Sequence, residues 1–368
     1  MRNELQQVQV PDADSARDRA WRVVAAAFEV REPALRDRRR WPLAVALAAA
    51  LLVAAFASPP GRAVLDDLRA VVGVERAQRA LFSLPAPGRL LVASDSGLWV
   101  AQEDGSRRLL GGFREASWSP FGRFVVASRQ NELAALEPDG DVRWTLARPR
   151  VAFPRWAGTE TDTKIAYLTK GRLHVVAGDG TDDVDAGGMP NPAAIPPAWR
   201  PGRGFVLAYA DTRGRVTVYD ASSGAVRFRT RPIPGVVSLD WSPEGRLLTV
   251  TAGGVQVYGA QGQLLRRVSL PGVVAAAFSP DGRRIAIQRR AEVFLVDTSR
   301  QTTRRVFAGA GLFDGLAWSP DGRWMLVGWP EADQWVFVRA DGRRIRAVAN
   351  VSDQFRSRSF PRVEGWCC

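Results

Sequence analysis

The chain has little side-chain chemistry to work with: among its 368 residues there is one histidine, His174, and two cysteines, Cys367 and Cys368. One imidazole excludes the HExxH zincins and any site built from several histidines. His174 lies between Leu173 and Val175 in a strand-like run, so it reads as structural rather than as the base of a nucleophile pair. The cysteines are adjacent, which fits neither a disulfide framework nor the CxxC spacing of a zinc or redox site. A vicinal disulfide, two free thiols and a bridge between chains are the readings left. Carboxylates abound, yet Asp139, Asp220, Asp281, Asp321 and Asp341 all fall at turn positions, where an aspartate bonds its own backbone. The run TDDVD at 181–185 loosely resembles a calcium loop, but it lacks the EF-hand spacing and closing glutamate, so it reads as a solvated acidic loop. No G-x-S-x-G elbow and no phosphate-binding glycine loop before a helix occurs. The expectation is therefore no catalytic, cofactor-binding or metal-ligating residue and no cofactor. A pair of carboxylates gathered at a channel mouth is the arrangement that would make the chain a hydrolase.

Charge points away from nucleic acid as well. The formal net charge is +13, but only Lys164 and Lys170 are lysines, and the arginines are scattered through turns rather than clustered in one patch.

What must position any site is a repeat. An aromatic residue, a Ser-Pro-Asp-Gly-Arg-like turn and a β-rich run recur as WSPFGR from Trp118, WSPEGR from Trp241, FSPDGR from Phe278 and WSPDGR from Trp318, with weaker copies from Trp156 and Trp199. Counting a truncated copy at Leu84, the spacings run from 34 residues (84 to 118) to 43 (156 to 199), the length of a four-stranded propeller blade. Each part has a purpose. The aromatic fills the wedge between blades, proline fixes φ, aspartate bonds the turn and glycine takes the left-handed conformation.

A second element, a strand, a turn and an arginine-rich outer strand, occurs at 98–110, 132–146, 172–184, 215–230, 255–268, 292–306 and 334–348, which makes seven copies. Its arginines on outer strands discourage pairing between molecules. The first unit has no inner strand of its own, while SFPRVEG at 359–365 echoes AFPRWAG at 152–158, which opens the third unit. The C-terminal segment 359–366 is therefore expected to close the first blade. The fold class expected is all-β, a seven-bladed propeller over 84–366.

The W/F-S-P-D-G-R element resembles the WD40-like repeat of TolB-type β-propellers. The pairs around 133–144 and 218–228 also resemble quinoprotein-type repeats, but with only two such units a quinone cofactor is not expected. The whole arrangement is similar to membrane-anchored propellers of a bacterial family without assigned activity. The TolB resemblance implies protein contacts outside the cytoplasm. This chain lacks the N-terminal domain of TolB itself and has an apolar run in its place.

That run, residues 41–57, carries no charge and gives about 26 Å of helix, enough for one bilayer span. Arg36, Arg38, Arg39 and Arg40 precede it, and Asp66 and Asp67 follow Arg62, so the positive-inside rule puts residues 1–40 in the cytoplasm and the propeller outside. Ala55 and Ala57 also match a signal-peptidase pattern, although the segment before the run is long for a signal peptide. Residues 15–32 read as an amphipathic helix, with Trp21, Val24, Ala27 and Phe28 on one face, and 58–83 as a stalk with a short helix. The functional expectation is a plasma-membrane protein whose propeller binds a protein or cell-envelope ligand on its loop face, as a sensor or anti-sigma-like regulator. The alternatives are a propeller enzyme and a structural envelope component. The loops at 187–197 and 309–314 are the candidate contact surfaces.

Overall fold

The computed structural model describes residues 74–75, 83–186, 192–202, 204–300 and 302–368. Its strands form seven sheets, each four strands deep from the centre outward, and one carries an extra strand at its edge. The second blade shows the plan: Glu115–Trp118 innermost, then Val125–Arg129, Glu132–Leu136 and Val142–Ala147, all antiparallel. Blades three to seven open with Ala152–Gly158, Ala198–Trp199, Val236–Trp241, Val273–Phe278 and Asp314–Trp318.

The first blade is built from both ends of the domain. Its inner strand is Arg362–Cys367, antiparallel to Arg89–Ser94, with Leu90 opposite Trp366 and Val92 opposite Val363. One bulge between Leu91 and Val92 sets the register. Between the last strand of blade seven, Ile345–Ala349, and this closing strand lies a one-turn helix, Val351–Gln354.

Middle strands read as near-continuous apolar runs because both faces of every sheet are covered. In Arg89–Ser94, Leu90 and Val92 point into the gap toward blade seven, while Leu91 and Ala93 point into the gap toward blade two. The same alternation divides the described core into seven clusters, one per gap. The gap where the ring closes is the richest in aromatics, holding Trp99, Trp324, Trp335, Phe337, Phe355 and Trp366.

Of the expected N-terminal parts, the 15–32 helix and the 41–57 run lie outside the described residues. Within 58–83, Val74–Glu75 is a two-residue strand lying parallel to Ile345–Ala349, extended where the sequence suggested helix; the β-branched Val74 favours that conformation. Among the described residues no helix is long and apolar enough to cross a membrane.

Candidate binding surface

The repeat aromatics Trp118, Trp156, Trp199, Trp241, Phe278 and Trp318 stand on the inner strands and enter the gaps between blades. They do more than fill the wedge. The indole N–H of Trp199 donates to the Arg155 carbonyl at 2.8 Å, that of Trp241 to Ala198 at 3.0 Å, and that of Trp318 to Ala277 at 3.2 Å. Each of these bonds ties one blade to the preceding one. The indole nitrogens of Trp118 and Trp156 are buried without a partner. The seventh aromatic is Trp366, opposite Leu90 just as Phe278 is opposite Ile285. The echo of 152–158 in 359–365 matched Val363, not Trp366, to Trp156; Trp366 lies 48 residues beyond Trp318, outside the 34–43 spacing of the other copies, so the repeat pattern did not mark it.

The five turn aspartates do bond their backbones. Asp139, Asp220, Asp281, Asp321 and Asp341 each accept the N–H two residues ahead, at 2.8 to 3.2 Å. The acidic run at 181–185 is different from the solvated loop its composition suggested. The Asp183 side chain is only 7% exposed and pairs with Arg148 at 2.7 Å. It also accepts the Tyr167 hydroxyl at 2.8 Å and lies 3.3 Å from Nδ1 of His174. Burial, then the bond to Asp183, pushes the Tyr167 hydroxyl far above its usual range. The lone histidine is thus spent in a structural network between blades two and three.

Carboxylates do gather at the inner strands, but they are matched by arginines. Glu364, its side chain 6% exposed, pairs with Arg362 at 2.6 Å. Arg155 adds a second cation whose field reaches Glu364 and Glu115, and the Glu115 carboxylate accepts the Phe153 N–H at 2.5 Å. Burial raises the Glu364 pKa against the pull of both arginines and depresses that of Arg155. Packed inner strands leave these groups to neutralise one another, and no free acid–base pair results.

The open surface is elsewhere. Between blades two and three lies a groove of about 460 Å³, walled by Phe124, Trp144 and Trp156 and rimmed by Phe121, Arg143 and Glu160. Phe124 stacks on Trp156 at 6.0 Å and 17°, and the Arg143 guanidinium lies 5.7 Å from the Phe124 ring. Phe121 occupies the turn position held by Glu244, Asp281 and Asp321 in other blades. It is 57% exposed and sits at φ +66°, a conformation unfavourable for an aromatic residue.

Of the two loops singled out earlier, 187–191 lies outside the described residues, and its remainder is tied down by the Ala193 N–H to Ala210 and a bridge from Pro192 to Asp211. The 309–314 loop is pinned by Phe313, 3% exposed and stacked on Phe307 at 5.3 Å, which leaves Leu312 outward at 56%. The sulfurs of Cys367 and Cys368 lie at bonding distance, beside Gly122 of the second blade's turn. Among the described residues no cluster of three or more histidine, cysteine or carboxylate groups is placed to hold a metal.

No family model and no curated protein sequence matches the chain. Solved structures do. One chain of the mitotic checkpoint complex is similar at 17% identity, with a TM-score of 0.54, over 69% of this chain and 89% of that one. The C-terminal WD40 domain of Sif2 is similar at 14% identity, with a TM-score of 0.55, over 73% of this chain and 88% of that one. At such identities the likeness concerns architecture alone: the described residues from 83 onward adopt a WD40-like, seven-bladed β-propeller fold.

Proposed function

We propose that the propeller is a non-enzymatic module that binds a protein or peptide partner, and that it is held at the plasma membrane by residues 41–57 with the ring outside the cytoplasm. The observation that carries the binding reading is Phe121. An aromatic side chain, more than half exposed, replaces a turn acid at a strained position beside an aromatic groove. Folding gains nothing from that choice, whereas a partner that buries the ring gains roughly 1.5–3 kcal/mol. The five turn aspartates, Asp183, Glu364 and the histidine, by contrast, are engaged in turns and internal pairs. Anchoring rests on the uncharged run and the arginines before it. With the N-terminal segment inside, a bound partner would be reported across the membrane, which is the sensor or anti-sigma-like role. In that oxidising location the Cys367–Cys368 pair would stay bonded.

A photo-crosslinking residue at position 121 in living cells tests the binding reading. A discrete crosslinked partner, lost in the Phe124→Ala background, is expected. A pattern no different from a probe at Arg343 would refute it. Alkaline phosphatase fused after Cys368 should be active, and an inactive fusion would overturn the topology.

A further inference from the structure

A second groove, of about 750 Å³, runs between blades four and five. Arg229 ends the outer strand of blade four, Arg231 follows in the connection, and Arg267 stands on the outer strand of blade five, Leu264–Ser269. All three are exposed, and none of their side chains makes an ion pair or hydrogen bond with another described residue. Their neighbours behave differently. Arg227, on the same strand as Arg229, pairs with Asp220 at 2.7 Å, and Arg266 donates to the Asp297 carbonyl at 3.0 Å. No carboxylate is among the described residues lining the groove.

We infer that this groove is the docking site for an acidic, extended segment of a protein partner, laid along Leu264–Ser269 with its carboxylates on Arg229, Arg231 and Arg267. The inference rests on the binding-module reading and names one of its surfaces and its ligand chemistry. Three kinds of observation support it. The unpaired guanidinium groups leave a positive field that no carboxylate among the described lining residues answers, and such fields select partners of opposite sign. Leu264–Ser269 is the edge of its sheet, so it offers a row of backbone donors and acceptors to an added strand. Leu264, 46% exposed, gives an apolar patch beside the arginines that a peptide side chain can cover. A nucleic acid fits less well. Tyr258 is the one aromatic among the described lining residues; it is 7% exposed and its hydroxyl is spent on Gln256 at 2.6 Å, so bases find no stacking platform.

The test uses the full chain and a fluorescein-labelled peptide of alternating Glu and Thr, followed by anisotropy. Binding should weaken as salt is raised. The double variant Arg231→Glu/Arg267→Glu should lose about tenfold or more in affinity, with its melting temperature unchanged. The charge-matched control Arg343→Glu/Arg344→Glu, on the seventh blade, should stay within about twofold. Equal binding of a Gln/Thr peptide, or no loss in the double variant, overturns the proposal. Displacement of the peptide by single-stranded DNA that binds more tightly through the same arginines overturns it in favour of nucleic acid. Should the acidic peptide fail while a partner still crosslinks at position 121, this site is wrong and the binding-module reading stands. Acidic-peptide binding without that crosslink isolates the failure at the aromatic groove.

Discussion

Asp95 and Ser359, 264 residues apart in the chain, meet where the ring closes: the Asp95 carboxylate accepts both the backbone N–H and the hydroxyl of Ser359, each at 2.8 Å. The Arg358 N–H adds a third bond at 2.9 Å. Bonds from Ser359 and then Arg358 hold the Asp95 carboxyl below its ordinary value of 3.8. A depressed folded pKa means that the contribution is complete above the unfolded value and is lost as pH falls through the folded one. Asp95→Asn should therefore lower the melting temperature at neutral pH, and the difference from wild type should shrink in acid below pH about 3.8. Parallel melting curves at all pH values would show that the clasp does not stabilise the closure.

A chain ended after residue 350 removes Arg362–Cys367 together with Phe355 and Trp366, both of which face the gap between blades seven and one. That strips the inner strand of the first blade and opens a sheet edge at the centre of the ring. Loss of cooperative unfolding across the whole domain is expected in thermal melts. Adding the 351–368 peptide should restore part of it. An unchanged melt would mean that the ring holds without its closing strand.

Blade number was legible in the chain because the seven arginine-bearing strand pairs keep their spacing even where the SPDG turn degenerates. The pairing of the chain's end with Arg89–Ser94 was hinted at by SFPRVEG, although the aromatic opposite Leu90 is Trp366, three residues beyond the position the echo gives. Less legible were features made by residues distant in sequence. Nothing local marks Asp183 as the centre of a network drawn from Arg148, Tyr167 and His174, because its burial depends on how blades two and three meet. That no carboxylate among the described lining residues meets Arg229, Arg231 and Arg267 likewise depends on which strands the ring brings together. Phe121 was visible as a departure from SPDGR, but only its exposure and backbone angle turn it into a candidate contact.

The indole bonds between blades separate two effects that a tryptophan usually mixes. Trp241→Phe loses the bond to the Ala198 carbonyl, while Trp118→Phe loses similar volume at a nitrogen that has no partner. The first should cost about 0.5–1.5 kcal/mol more than the second in denaturant melts. Phe278 shows that the position accepts a ring without an N–H. Equal losses would assign the aromatics to packing alone.

Asp240 should give the opposite pH dependence to Asp95. It accepts the Phe278 N–H at 2.7 Å, but burial outweighs that bond and the one from Trp241 and pushes its carboxyl up to about 6. With the folded pKa above the unfolded one, the folded state favours the protonated acid. Its stability advantage is complete below pH about 4, falls as pH rises through 6, and is absent above that. Asp240→Asn stays neutral throughout and keeps an oxygen for the Phe278 N–H. The variant should match wild type near pH 4 and exceed it above pH 6, by up to about 3 kcal/mol for a shift of roughly two units. Denaturant melts across that range, with both proteins in the same buffers, read the difference directly. A variant less stable than wild type at pH 8 would mean that the carboxylate is ionised and favourably held in the folded ring, contrary to what its burial requires.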